Sequence, residues 1–181
     1  MINRDMPSRP VPSSQPRIVL LGGGNGASML LNGLKHYHVQ LTAVIATTDS
    51  GGSSGRLREE LNLPALGDVR RCLVALAGDD ARSQALARLF EFRFQWGKSL
   101  AGHTFGNILL AALLNDTGEF DHTMHEAQKL LRSRGKVLPV TLATTELCAN
   151  LNDGTVLRGE ATINNNIDLG ERWIKQLFLV P

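Results

Sequence analysis

Residues 17–27, RIVLLGGGNGA, set an apolar run directly in front of a glycine cluster. Arg17 to Leu21 reads as a short buried strand. The following ASMLLNGLKHY (27–37) brings Met29, Leu30 and Leu34 onto one helical face, and VQLTAVIATT (39–48) returns to β-branched strand character. Strand, helix and strand in that order predict a βαβ unit with a right-handed crossover, whose ligands gather at the carboxyl ends of the strands. Gly22, Gly24 and Ala27 satisfy G-x-G-x-x-A at such an end, where glycine allows a tight turn and bare N–H groups at a helix start attract an anion. Asp49 closes the second strand about twenty residues later, where a dinucleotide site places its ribose-binding carboxylate. A plain α/β turn without ligand remains open at this point.

The stretch behind Asp49 departs from an ordinary dehydrogenase. TTDSGGSSGRLREEL (47–61) packs Ser50, Gly51, Gly52, Ser53, Ser54 and Gly55 behind the acid, then supplies Arg56 and Arg58 where a helix is expected to begin. N–H and hydroxyl donors beside guanidinium groups suit a phosphate or pyrophosphate; the bland reading is a flexible Gly/Ser loop with solvated arginines. In LPALGDVRRCLVALAG (63–78), Asp68 is placed as the N-cap of a helix through Leu76. Arg70 and Arg71 leave its first turn, where the helix dipole disfavours cations, a hint of an anionic partner. In LAGHTFGNILLAALL (100–114), Gly102, His103, Thr104, Gly106 and Asn107 open a strongly apolar helix. Thr104 can serve as its cap, and His103 as a satisfied histidine.

Composition narrows the partners. The chain has 19 basic and 17 acidic side chains, a net charge of +2, which supplies no electrostatic reason for a nucleic acid or an anionic membrane. The two cysteines, Cys72 and Cys148, form neither a CxxC nor a Cys/His cluster, so both are expected reduced and packed in a cytoplasmic protein. Val69, Cys72, Leu73 and Leu76 recur at helical spacing as one apolar face. His122 and His125, three apart in DHTMHEAQKLL (121–131), lack a third ligand and read as surface residues. Residues 1–16 contain four prolines and three serines and no apolar core, so a disordered extension is expected rather than a signal peptide. No stretch approaches the length of a membrane span.

The division expected from these patterns is the extension 1–16, a Rossmann-like nucleotide-binding domain 17–135, and a β-rich appendage 136–181 belonging to the same domain. The appendage is read from KVLPVTL (136–142), from ELCANL (146–151) and TVLRGEATI (155–163) joined as a hairpin around Asn152, Asp153 and Gly154, and from WIKQLFLV (173–180). The fold class is α/β, a mostly parallel sheet flanked by helices with a hairpin near the C-terminus.

Several segments in the same order resemble the gluconeogenesis-factor proteins, bacterial relatives of 2-phospho-L-lactate transferase. They are LLGGGNGASMLLNGLK, TTDSGGSSGRLREEL, GDVRRCLVALAG, FEFRFQWG, LAGHTFGNILLAAL, GKVLPVTL and LNDGTVLRGEATIN, together running from about Arg17 to Pro181. The resemblance implies a Rossmann-like fold, a cytoplasmic location and a pocket for a UDP-sugar, UDP-N-acetylglucosamine being the expected ligand. It also implies a regulatory role in gluconeogenic growth and in cell shape through peptidoglycan synthesis. By resemblance, Gly22, Gly23, Gly24, Asn25 and Gly26 contact the nucleotide, Asp49 and Gly51 to Gly55 line the pocket, and Asp68, Arg70, His103 and Asn107 complete it. Asn25 stands where the family has threonine or histidine. Ser50 stands where it often has a second acid, which weakens a two-carboxylate Mg²⁺ site. The family continues well past the position of Pro181, through another strand and a further glycine-rich loop. The expectation is therefore a fragment, or a truncated chain whose sheet edge another chain covers, hence an oligomer.

Three functions compete. The first is a nucleotide-sugar-binding regulator with no assigned catalytic or metal-binding residue. The second is a Mg²⁺-dependent phosphoryl-group transferase, in which Arg56, Arg58 or Arg70 would neutralise the transferred group. The third is an NAD-dependent oxidoreductase, for which His103 is the sole proton-donor candidate.

Overall fold

A computed structural model of the chain describes residues 15–166 and 170–180. The expected extension lies outside the described residues except for Gln15 and Pro16, and Pro16 already lends its carbonyl to the Gln40 N–H at 2.8 Å. The opening stretch folds as read: β1 (Arg17–Gly22), α1 (Gly24–Leu34) and β2 (Gln40–Ile45), with β1 and β2 parallel and Ile18 opposite Leu41. Four helices follow, α2 (Gly52–Leu61), α3 (Gly67–Ala75), α4 (Ala81–Glu91) and α5 (Phe105–Thr117), then α6 (Phe120–Leu130) and β3 (Gly135–Pro139). β3 adds to β2 in parallel, so the sheet runs β1-β2-β3. KVLPVTL therefore belongs largely to the parallel sheet and not to the appendage, because Val137 is fully buried against the helices on the same face as Ala43.

Beyond it, β4 (Glu146–Leu151) and β5 (Val156–Arg158) make the expected antiparallel hairpin, and β6 (Ile174–Val180) pairs with the other side of β4. The strand expected over 155–163 stops at Arg158. Gly159 takes φ +83° and turns the chain into α7 (Glu160–Asn165), so GEATI is helical.

One face of the parallel sheet holds the core. Leu41, Ala43, Ile45 and Val137 are buried, with Ile18 and Leu20 packed alongside, against Leu31 of α1, Val69, Cys72, Leu73 and Leu76 around α3, and Leu110 of α5. Cys72 sits on the apolar face expected of it, and burial pushes its thiol up to about 12. Cys148 is also buried and unpaired. The face expected on α1 is different: Ala27 and Leu31 point inward, while Met29 and Leu30 are 75% and 60% exposed. Ala27 and Leu31, four apart, are the pair that fits the close approach of α1 to the sheet and α3.

Candidate functional site

The carboxyl ends of β1 and β2 each open, through glycine, into a helix. After β1, Gly23 is extended and Gly24 takes φ +64° as α1 begins. After β2, Gly51 precedes α2, which begins at Gly52 with φ +51°. The helix thus starts four residues earlier than expected, and Ser53, Ser54 and Gly55 are its buried first turn rather than a flexible loop. The bend that allows this requires glycine: a Cβ on Gly55 would collide with the Ser50 carbonyl. The first N–H groups of both helices have no intrahelical acceptor and converge on one end of the sheet.

Part of that donor capacity is used by the protein itself. Asp68 is not the N-cap of α3; Leu66 holds that position without a side-chain bond. The Asp68 carboxylate reaches back to the first glycine turn, Oδ2 accepting from the Gly24 N–H at 2.6 Å and Oδ1 from Arg71 Nη1 at 3.0 Å. It comes that close because Gly23 has no side chain: a Cβ there would sit 2.7 Å from Asp68 Oδ2. Asp49 does the same at the second turn, its Oδ1 accepting from the Gly51 N–H at 2.8 Å. Asn25 and Gly26 of the first turn are exposed, and Asn25 borders a groove of ≈ 420 Å³ with Lys35, Arg71 and Gln84.

The arginine hint at α3 resolves internally. Arg70 is 3% exposed, ion-paired with Glu91 of α4, and its Nε donates to Asn107 Oδ1 at 3.1 Å. Burial lowers its pKa while Glu91 raises it, the answer to a buried cation that needs a partner. Asn107 is a hub: its Nδ2 donates to Ser53 Oγ at 3.1 Å and Ser54 Oγ at 3.4 Å. Ser53 Oγ lies 3.0 Å from His103 Nδ1. Thr104 is the cap of α5, accepting from the Asn107 N–H at 3.4 Å. One chain of polar groups, running from half-exposed Glu91 through buried Arg70, Asn107, Ser53 and His103, therefore ties α3, α4 and α5 to the first turn of α2. Burial, with Arg56 and Arg93 second, holds His103 below the ordinary imidazole value.

Arg56 is exposed and donates from Nη2 to the Ala101 carbonyl at 2.8 Å. Gly102, at φ +84°, makes room: its Cβ would lie 2.9 Å from that nitrogen. Arg58 donates to the Thr145 carbonyl at 2.6 Å and borders a cavity of ≈ 530 Å³ with Ser50, Glu59, Asn62 and Glu146. His122 and His125 are on the surface. Among the described residues no group of three or more His, Cys, Asp or Glu side chains is placed to hold a metal ion.

Sequence reasoning missed Glu160. At the start of α7 it is held above the ordinary carboxylate range by burial and then by Asp49 and Asp68, which places a third acid in electrostatic reach of both glycine turns. α7 is fastened there by the Ala161 N–H, which donates to Ser50 Oγ at 3.1 Å. The signal was Gly159 before Glu160, a helix start hidden inside an apparent strand.

The family model of 2-phospho-L-lactate transferase CofD matches residues 18–181. The chain belongs to this family. Within it, the chain is 47% identical over 167 residues to the gluconeogenesis factor of Bacillus subtilis (strain 168), covering 92% of this chain and 50% of that protein. It is 44% identical over 164 residues to the gluconeogenesis factor of Halalkalibacterium halodurans, covering 91% and 49%. A crystal structure of a Bacillus halodurans protein superposes with a TM-score of 0.83 at 43% identity, over 93% of this chain and 52% of that one. The chain thus spans about half the length of the curated relatives it matches. The glycine turns, the chain of polar groups and the hairpin all fall inside the matched residues.

Proposed function

We propose that this chain binds a nucleotide sugar, with UDP-N-acetylglucosamine as the expected ligand, at the carboxyl end of its parallel sheet. It does so as a cytoplasmic regulator in gluconeogenic carbon metabolism and cell shape. The observation that carries this reading is the pair of glycine-entered helix starts, α1 and α2, each following one of two adjacent parallel strands, with Asp68 and Asp49 on their first N–H groups. That arrangement offers two sets of N–H donors to a pyrophosphate. The names of the relatives, gluconeogenesis factors, support the metabolic part. Asp49 is positioned to recognise sugar or ribose hydroxyls. Arg56, exposed beside the α2 start, is the cation offered to the ligand in exchange for the Ala101 carbonyl, and Asp68 competes with the ligand for the Gly24 N–H.

The Mg²⁺-dependent transferase reading has less support. Arg58 and Arg70 each hold an internal acceptor, and Asp49 and Asp68 each spend a carboxylate oxygen on a backbone N–H.

The test is a thermal-shift titration of the chain with UDP-N-acetylglucosamine, NAD and a Mg²⁺/guanine nucleotide mixture in separate arms. Ligand at ~100 times its dissociation constant adds about 2.7 kcal/mol. A shift with the UDP-sugar alone, lost in Arg56→Ala while the unliganded melt is unchanged, is the expected result. A shift with NAD alone moves the assignment to an oxidoreductase, and no shift in a cooperatively melting protein removes the ligand from these two turns.

A further inference from the structure

The connection between α4 and α5 has a fixed stem and a tip that one side chain fastens from outside. In the stem, the Phe94 N–H donates to the His103 carbonyl at 2.9 Å and the Phe105 N–H to that of Phe92 at 2.8 Å. Buried His103 is tied in turn to Ser53 of α2. Residues 95–102 form the tip, and Gln95 to Leu100 are all exposed. Its own bonds stay inside the connection. The Ala101 N–H donates to the Gly97 carbonyl, the Gly102 N–H to that of Phe94, and Arg93 Nη1 to the Gly102 carbonyl. Among the described residues, the only hydrogen bond that reaches the tip from another element is the one from Arg56 Nη2 of α2 to the Ala101 carbonyl. Gly97 and Gly102, at φ +95° and +84°, flank the segment that this bond holds. Backbone rotation is absorbed there at little cost.

We propose, on the reading that an anion binds at the α2 start, that Arg56 is a clamp shared between that anion and the tip, so that ligand occupancy releases residues 95–102. Arg56 stands in the second turn of α2, directly behind Ser53, Ser54 and Gly55. Its Nη2 is the nitrogen common to both two-pronged edges of the guanidinium, so a bidentate grip on a phosphate draws on the group that now serves Ala101. A charged phosphate oxygen is a stronger acceptor than a neutral carbonyl, and the exchange runs toward the ligand. The tip then loses its outside fastening. Arg93 does not replace it, because Arg93 belongs to the stem of the same connection. The anion gains Arg56 in full only when the tip is free, and that difference in affinity is what shifts the loop. By linkage, whatever stabilises the released tip tightens the anion by the same factor. Exposed Trp96 and Lys98 travel with the tip, so occupancy of the buried end of the sheet is displayed on the surface.

The experiment uses the full chain carrying Trp173→Phe, which leaves Trp96 as its one tryptophan. Release is read as the anisotropy of Trp96 fluorescence and as the rate of trypsin cleavage after Lys98, with thermal melting to show that the fold is intact. Without any ligand, Arg56→Ala is expected to melt like the parent, lower the anisotropy and speed that cleavage roughly fivefold, the population change that loss of one hydrogen bond gives. Arg58→Ala removes the same charge from the same helix but frees only the Thr145 carbonyl, and it leaves both values unchanged. Saturating UDP-N-acetylglucosamine or inorganic pyrophosphate brings the parent to the Arg56→Ala values and changes Arg56→Ala no further. Parent-like anisotropy and cleavage in Arg56→Ala overturn the clamp and leave the ligand reading standing. A thermal shift from the UDP-sugar with Trp96 and Lys98 undisturbed also overturns it. Release in Arg56→Ala without a thermal shift from either anion instead overturns the ligand reading, and the coupling with it.

Discussion

Asn107 shows how one side chain can hold three elements. Its carbonyl oxygen serves the buried Arg70 and its amide serves Ser53 and Ser54, so Asn107→Ala strands a guanidinium nitrogen and the Ser54 hydroxyl and leaves Ser53 with His103 alone. A loss of about 2 kcal/mol is expected in urea unfolding, whereas truncating exposed Asn25 costs within about 0.5 kcal/mol. Asp68→Asn keeps an oxygen for the Gly24 N–H and removes a charge from the end of the sheet proposed to bind the nucleotide. It should tighten binding of an anionic nucleotide at the first turn, measured by calorimetry against the parent. His103 makes a pH-dependent contribution. Its folded-state pKa lies below the unfolded value, so the unfolded chain binds the proton first. The stability it contributes is present above about 6.5 and is lost as pH falls through the folded value. His103→Gln should flatten that acid limb. Glu160 has the opposite sign. Raised when folded, it costs stability once pH exceeds the ordinary carboxylate value, so Glu160→Gln should raise Tm at pH 7 and leave it unchanged below about pH 4. The residue types at 53, 70, 103 and 107 were legible as polar insertions before apolar helices. Their mutual bonding was not, because the partners lie 37 to 54 positions apart.

At the scale of elements, periodicity located strand, helix and strand at the N-terminus, since β1 and β2 are short apolar runs bounded by glycine and polar residues. It misplaced the start of α2, because Gly, Ser and Ser read as loop by composition while tertiary burial makes them a helical turn. Gly55→Ala tests that packing. The added methyl meets the Ser50 carbonyl, and a destabilisation of more than ~2 kcal/mol is expected by thermal melting, against the few tenths gained by Ala in an open helix. The error at 159–163 has a similar origin. Thr and Ile are β-branched, but Gly159 at φ +83° and the bond from Ala161 to Ser50 pull the segment into α7. Six residues are too few for an isolated helix, so docking supplies what propensity lacks.

For the whole molecule, the open face of the sheet governs behaviour in solution. Val19 and Leu21 of β1, Leu138 of β3 and Val140 just past it are 62%, 76%, 40% and 61% exposed, on the side of the sheet away from the core. Val19→Thr with Leu21→Thr should leave the melting temperature nearly unchanged, because little buried area is lost, and should reduce concentration-dependent association measured by light scattering. The sequence by itself determined the βαβ opening, the parallel class of the first sheet, the glycine turns at its carboxyl end, the hairpin around Gly154 and the burial of Cys72. All of these rest on local periodicity or on φ angles that glycine alone takes readily. Only the tertiary structure decided that Asp68 reaches Gly24 rather than capping α3, that Arg70 answers Glu91, and that Asp49 and Asp68 act with burial to hold Glu160 above its ordinary carboxylate value. Each of these depends on which distant groups meet when the core closes, and chain-distant electrostatic and hydrogen-bond partners leave no periodic trace in the sequence.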